Sequence, residues 1–317
     1  VGRDSRRLIV LALFLALPLA AGEEPTTQEA IGWRLFFEPA LSAPRNFSCA
    51  TCHIPSRGFE GAQPLSIGAH GDVLGRNTPT VVNLADAEFL FWDGRAGSLE
   101  EQAKGPIANP QEMDMALDVA VERISGLRRY REAFAKMGVK KITEDDIAGA
   151  IAAFERQLVT GPTRFDRWIH GDRTALSPQE ERGRVLFFTK GDCALCHNGQ
   201  NLSDGDFHNI GSSVDPEDIG RAAIEDDDYY LGAFKTPSLR NWKGREPFFH
   251  DGRFATMREV LEYYSNPDAA KVGEREIEPK GFSDQEIEDL LAFLETLNGD
   301  WPDLEPFEKA WQALDVE

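Results

Sequence analysis

Positive charge is scarce in this chain. Its 34 lysines and arginines stand against 54 aspartates and glutamates, a net charge of -20 over 317 residues. A phosphate backbone needs a cationic face, so the balance argues against nucleic acid and makes cationic partners the better expectation. Long apolar runs are missing after Gly22, which leaves nothing there to span a membrane. Alternating strand-like runs are also too short to suggest a sheet. Cysteine is scarce too, with four residues, and all four fall in two pentapeptides, CATCH at 49–53 and CALCH at 193–197.

The one apolar run is N-terminal. Arg3, Arg6 and Arg7 precede the uncharged stretch Leu8 to Ala21, and small residues at 20–22 lead into Glu23 and Glu24. This is the three-part form of a secretory signal. The run is shorter than the roughly 20 residues a span requires, so residues 1–22 read as a cleaved signal peptide and the remainder as an exported, periplasmic protein with no membrane span. The length suits one large or two medium domains, and two pentapeptides favour two.

In an oxidising compartment four cysteines suggest two disulfides. Here each pair is three residues apart and followed at once by His53 or His197, which is the haem-attachment pattern C-x-x-C-H. The two thiols of such a motif add to haem vinyl groups, and the histidine offers a neutral imidazole to iron. A redox dithiol or a zinc site of four cysteines is the rival. Neither explains a histidine after both pairs.

A repeat surrounds the motifs. GWRLFF (32–37) and GRVLFF (183–188) precede them, each behind a capping signature, Thr26 with Glu29 and Ser177 with Glu180. Downstream, RNTPTVVN (76–83) resembles KTPSLRN (235–241), and FWDGRAGSLEE (91–101) resembles FHDGRFATMRE (249–259). Pro79 to Asp93 spans 14 residues, as does Pro237 to Asp251. Two copies of one haem-binding unit follow.

In register, Trp92 falls on His250 and Pro106 on Tyr264. Proline has no lone pair for iron, whereas tyrosine does. If Tyr264 ligates the second iron opposite His197, one haem is closed and the other open to a small molecule. Other candidates read more simply. Met257 could ligate, but it matches Leu99 and suits a core. Tyr263 lies about 100° round the helix from Tyr264 and should pack. His70, in LSIGAHGDVLG, could swing onto the first iron or stay solvated. His208 could bond a propionate or be an ordinary loop residue, and His170 caps a helix end. Helices are expected after Ser98, Thr143 and Ser283, separated by loops such as ANPQEM and SNPD. The fold is therefore mainly α, two cytochrome c-like haem domains related by the repeat. The boundary falls near 162–171, giving an N-terminal haem unit (23–165) and a C-terminal haem unit (166–317) whose tail packs back on the first.

On these motifs, with LFFEPALS, GPIANPQEM and FFHDGRFAT, the chain resembles the bacterial dihaem cytochrome c peroxidase and MauG family over nearly all of 27–300. The resemblance implies two covalent c-type haems. One, on Cys49, Cys52 and His53, is where peroxide reacts. The other, on Cys193, Cys196 and His197, serves as electron relay or oxidant store. It further implies that Trp92 lies between the haems and couples them, that Gln102 and Glu112 are the distal pair, and that Asn77 with the carbonyls of Arg245 and Pro247 holds one calcium ion. A carboxylate with its pKa raised in an apolar pocket suits the proton shuttle that peroxide cleavage requires. Glu100 and Glu101 read instead as acids of a first helical turn.

Two departures set this chain within the family. Where the peroxidases place a loop histidine that ligates the first haem, it has Ala69, with His70 one place later; where they place methionine on the second haem, it has Tyr264. A hard, anionic phenolate favours ferric and higher states, as in MauG-like members. The expected enzyme uses H2O2 to oxidise a partner protein. The alternatives are a cytochrome c peroxidase fed by a small electron-transfer protein and a non-catalytic dihaem carrier.

Overall fold

The computed structural model describes residues 24–316, so the signal assigned to 1–22 lies outside the described residues. The capping boxes read from sequence start the main helices. Thr26 and Glu29 open α1 (Thr27–Phe36), the first motif forms α2 (Cys49–Cys52), and the Ser98 side chain caps α3 (Leu99–Ala108). Two helices follow, α4 (Leu117–Gly126) and α5 (Arg128–Lys136), and Thr143 with Asp146 opens α6 (Glu144–Arg156). In the second half α7 (Arg164–Ile169) precedes α8 (Pro178–Phe188), where Ser177 and Glu180 cap and Pro178 takes the first helical position. Then come α9 (Ala222–Glu225), α10 (Met257–Ser265) and α11 (Asp284–Glu295); α12 (Glu305–Ala313) ends the series. Among the described residues no helix is long and apolar enough to cross a membrane.

Each copy is built on one helix crossing, and glycine permits it. A Cβ on Gly32 would lie 1.8 Å from the Ala150 carbonyl oxygen, and one on Gly183 would lie 1.8 Å from that of Asp289. Thus α1 crosses α6, and α8 crosses α11, at backbone contact. Around the first crossing Ile31, Leu35, Tyr130, Phe134 and Ile151 are fully or almost fully buried, and around the second so are Phe187, Leu290 and Phe293. Each such apolar side chain contributes about 1.5–3 kcal/mol. The C-terminal α12 leaves the second core and packs on α1, with Phe307 against Phe154 and Trp311 against Tyr130.

The two copies interlock through equivalent residues. The Asn77 N–H donates to the His250 carbonyl (2.6 Å), and the N–H of Lys235, its counterpart, donates to the carbonyl of Trp92 (2.8 Å). Arg76 lies 5.3 Å over the ring of Phe234, again its own counterpart. Leu90 bridges Ala96 as Phe248 bridges Phe254, and Phe91 and Phe249 share a left-handed φ of 67° and 71°. This reciprocity is what a local two-fold axis between the copies produces.

A short ladder was not expected. β1 (Phe207–His208) pairs antiparallel with β2 (Phe234–Lys235), Phe207 opposite Lys235. Two residues per strand carry too little alternation to read from sequence.

Candidate functional site

The first motif is one helical turn, and its histidine is already oriented. His53 Nδ1 lies 3.1 Å from the Phe59 carbonyl, and His197 Nδ1 lies 3.0 Å from that of Leu202. A carbonyl only accepts, so each Nδ1 carries the proton and each Nε2 presents a lone pair. Burial lowers both histidines' pKa values and keeps the rings neutral, as ligands must be. None of the four cysteines is in a disulfide. Burial pushes the thiols of Cys49 and Cys193 well up, that of Cys193 to about 12, the reverse of what a redox dithiol needs. Nor do the two pairs form one cluster of metal-ligating groups among the described residues, which disfavours a shared zinc.

A cavity of about 790 Å³ joins the copies, lined by His53, Trp92, Gln102 and Glu112 from the first and by Lys235 and Pro237 from the second. A second cavity of about 40 Å³ is bordered by Cys49, Gln102, Pro106, Glu112 and Glu155. Gln102 and Pro106 are four apart on α3 and share a face, while the turn after α3 brings Glu112 to them. Asn109 Nδ2 donates to Glu112 Oε1 (2.8 Å) and fixes that carboxylate. Glu100 pairs with Arg156 (2.8 Å) on the first turn, away from this group.

These features fit haem. Neutral imidazoles and free thiols stand at each motif, and the central cavity has a half-buried cation, Lys235, to receive acidic groups. Burial, aided by Arg245, pulls the Lys235 ammonium down to about 8, and it has no hydrogen-bond partner among the described residues. Haem carboxylates would supply one.

Tyr264 arrives where the register placed it. Ser98 caps α3 and Thr256 caps α10, so Pro106 and Tyr264 both stand eight residues beyond equivalent caps. The helix phase therefore persists without an insertion. Burial raises the Tyr264 pKa, and the neighbouring Cys193 and Cys196 raise it further, which puts the phenol beside the second motif. Its oxygen has no hydrogen-bond partner among the described residues. Tyr263, by contrast, is packed against Phe249 and Phe254 and donates to the Ile210 carbonyl (2.8 Å), and Met257 is a core residue.

His70 lies elsewhere: its Nε2 meets Asp114 at 2.9 Å, with both side chains about half exposed. His208 is bracketed by Glu276 (2.8 Å) and Asp204 (3.1 Å), and Asp204, then Cys196, raise its pKa to about 11. His170 ends α7 as a cap residue. Trp92 donates its Nε1 proton to the Asn77 carbonyl (2.9 Å), and its ring stands 6.4 Å from that of His250. His250 is stacked on Phe234 at 3.7 Å, and burial lowers its pKa to about 4, so it is a neutral packing partner. Sequence reasoning missed Lys235 and Glu155. Lys235 sat inside a quoted repeat motif, but Glu155 followed a phenylalanine in an ordinary helix and gave no signal.

A match to the family described as di-haem cytochrome c peroxidase covers residues 26–174, and one to cytochrome c covers 180–298. The methylamine utilization protein MauG of Methylorubrum extorquens is 39% identical over 288 residues, covering 87% of this chain and 80% of its own. The cytochrome c551 peroxidase of Nitrosomonas europaea is 36% identical, covering 92% and 89%. Among solved structures, a MauG-like protein associated with microbial copper homeostasis is 29% identical with a TM-score of 0.79, covering 91% of this chain and 96% of its own.

Proposed function

The chain belongs to the di-haem cytochrome c peroxidase and MauG family, and on that premise we propose an exported, periplasmic enzyme of the MauG kind. Hydrogen peroxide reacts at the first site, and the oxidising equivalents are drawn from a partner protein, from its tryptophan or tyrosine side chains. Cys49, Cys52 and His53 would hold one c-type haem, and Cys193, Cys196, His197 and Tyr264 the other. When bound, haem supplies one-electron chemistry at iron and an open position for peroxide.

The protein's own groups do the rest. Glu112, oriented by Asn109, takes a proton from one peroxide oxygen and returns it to the departing one, and Gln102 orients the molecule from the same cavity. Trp92, anchored through its indole N–H, lies between the copies and couples them. Asn77, Arg245 and Pro247 form the proposed calcium site. The Asn77 amide nitrogen is engaged by the Pro64 carbonyl (3.1 Å), which leaves its oxygen free, and the carbonyls of Arg245 and Pro247 accept no hydrogen bond among the described residues. Hard oxygens of this kind suit calcium.

The observation that carries the MauG reading is the pair Tyr264 and Pro106: a half-buried phenol without a hydrogen-bond partner among the described residues, beside the second motif, and a proline at the same place by the first. The test is one equivalent of H2O2 added to the fully ferric protein while both haem spectra are followed. Immediate, long-lived change in both supports the reading. No reaction until one haem is reduced would overturn it in favour of a peroxidase fed by a small electron carrier.

A further inference from the structure

Residues 223–229 are exposed, and the chemistry above uses none of them. Tyr229 stands out among them with 75% of its surface in water, held in the turn Asp228–Tyr230 by the Asp227 cap. Its inward contacts form a series: Tyr229 meets Tyr230 edge-on at 5.0 Å, Tyr230 meets Phe207 at 6.4 Å, and Phe207 meets Phe89 at 5.3 Å.

The series ends at the central cavity. Phe89 lines that cavity, and the Phe207 ring lies so close over Gly94 that a Cβ there would approach it to 2.2 Å. Gly94 is two residues beyond Trp92. Phe207 is also opposite Lys235 in the β ladder, and the Lys235 N–H donates to the Trp92 carbonyl. Rings in contact thus connect the Trp92 loop with solvent.

The charges along this line have a direction. The Arg221 guanidinium lies 4.4 Å over Phe207 and 4.9 Å over Phe89, and a cation on a ring opposes loss of an electron from it. Among the described residues no cation lies over Tyr229; its phenol faces water that can accept a proton, and Asp226, Asp227 and Asp228 flank it. An oxidising equivalent passing outward is disfavoured on the phenylalanines and favoured on the terminal tyrosine.

We propose that Tyr229 is a surface oxidation site, fed through Tyr230 and Phe207, at which a positively charged one-electron donor reduces the protein. The step balances. The Tyr229 O–H bond breaks, its proton goes to water, its electron moves inward to the centre oxidised by peroxide, and the donor's electron with a proton restores the phenol. One H2O2 accepts two electrons and two protons, so two such events yield two waters. The inference rests on the peroxide chemistry proposed above.

The experiment treats the ferric dihaem protein with H2O2 and a nitroso spin trap and maps the adducts by peptide mass spectrometry. The expected result is an adduct on Tyr229, absent at that position in Tyr229→Phe and reduced several-fold in Tyr230→Phe, with peroxide-induced haem spectral changes intact in both variants. Altered haem spectra with Tyr229 unmodified, or a Tyr229 adduct indifferent to Tyr230→Phe, would overturn the path alone. Haem spectra that do not respond to peroxide would overturn the path together with the reading beneath it.

Discussion

The two copies share a frame and differ in what they hold at equivalent places. Capped helices of matching phase, α3 and α10, present Gln102 and Pro106 in the first copy and Val260 and Tyr264 in the second. Where α6 buries Glu155 behind Phe154, α11 buries Leu294 behind Phe293. The residues that make the frame, the crossing glycines and the reciprocal hydrogen bonds, recur because backbone contact tolerates no substitute. The residues that differ project into cavities or core beyond that frame. Duplication fixed the geometry, and divergence at a few side chains set Gln102 and Pro106 in one copy against Val260 and Tyr264 in the other.

The largest effect that would sharpen this contrast comes from Glu112→Gln. Peroxide consumption should fall by about 10²–10⁴-fold with both haem spectra at rest unchanged, as expected when a proton shuttle is lost. A variant with unaltered turnover would move the protein toward a simple dihaem carrier. Gly32→Ala and Gly183→Ala test the shared frame instead. Each forces a methyl against a carbonyl, so each should lose at least about 1–3 kcal/mol in chemical denaturation. A loss in only one copy would break the equivalence of the crossings.

The smallest effect concerns an asymmetry inside the frame. Glu155 is fully buried, one of its oxygens lacks a partner, and burial raises its pKa to about 8. Between about pH 4.5 and pH 8 the folded carboxyl therefore keeps a proton that the unfolded chain has released, and stability falls as pH rises. Glu155→Gln should flatten that slope. Thermal melts should show it gaining roughly 1–3 kcal/mol over the parent at pH 8 and little at pH 4.5. An equal shift at both pH values would mean the carboxyl is not titrating in the fold.

Motifs local in sequence were read directly. C-x-x-C-H, the helix caps at Thr26, Thr143, Ser177 and Ser283, and the register of Pro106 with Tyr264 all depend on spacing within a few turns, which the chain carries in itself. His70 was harder. Its neighbours allowed either an iron ligand or a solvated residue, and only its meeting with Asp114, 44 residues on, placed it at the surface. The burial of Glu155, the isolation of Lys235 and the ring series ending at Tyr229 were not legible at all.

By itself, then, the sequence determined two helical haem units, each with its own C-x-x-C-H motif, and which unit carries a tyrosine where the other has a proline. The tertiary structure decided how the units meet: Trp92 against His250, Asn77 and Lys235 exchanging reciprocal hydrogen bonds, one cavity between them, and an aromatic line from that cavity to water. The physical reason is range. Caps and ligand motifs are set by bonds among near neighbours, whereas a cavity, a buried charge or a chain of ring contacts depends on packing between segments distant in sequence, such as Phe89 and Phe207.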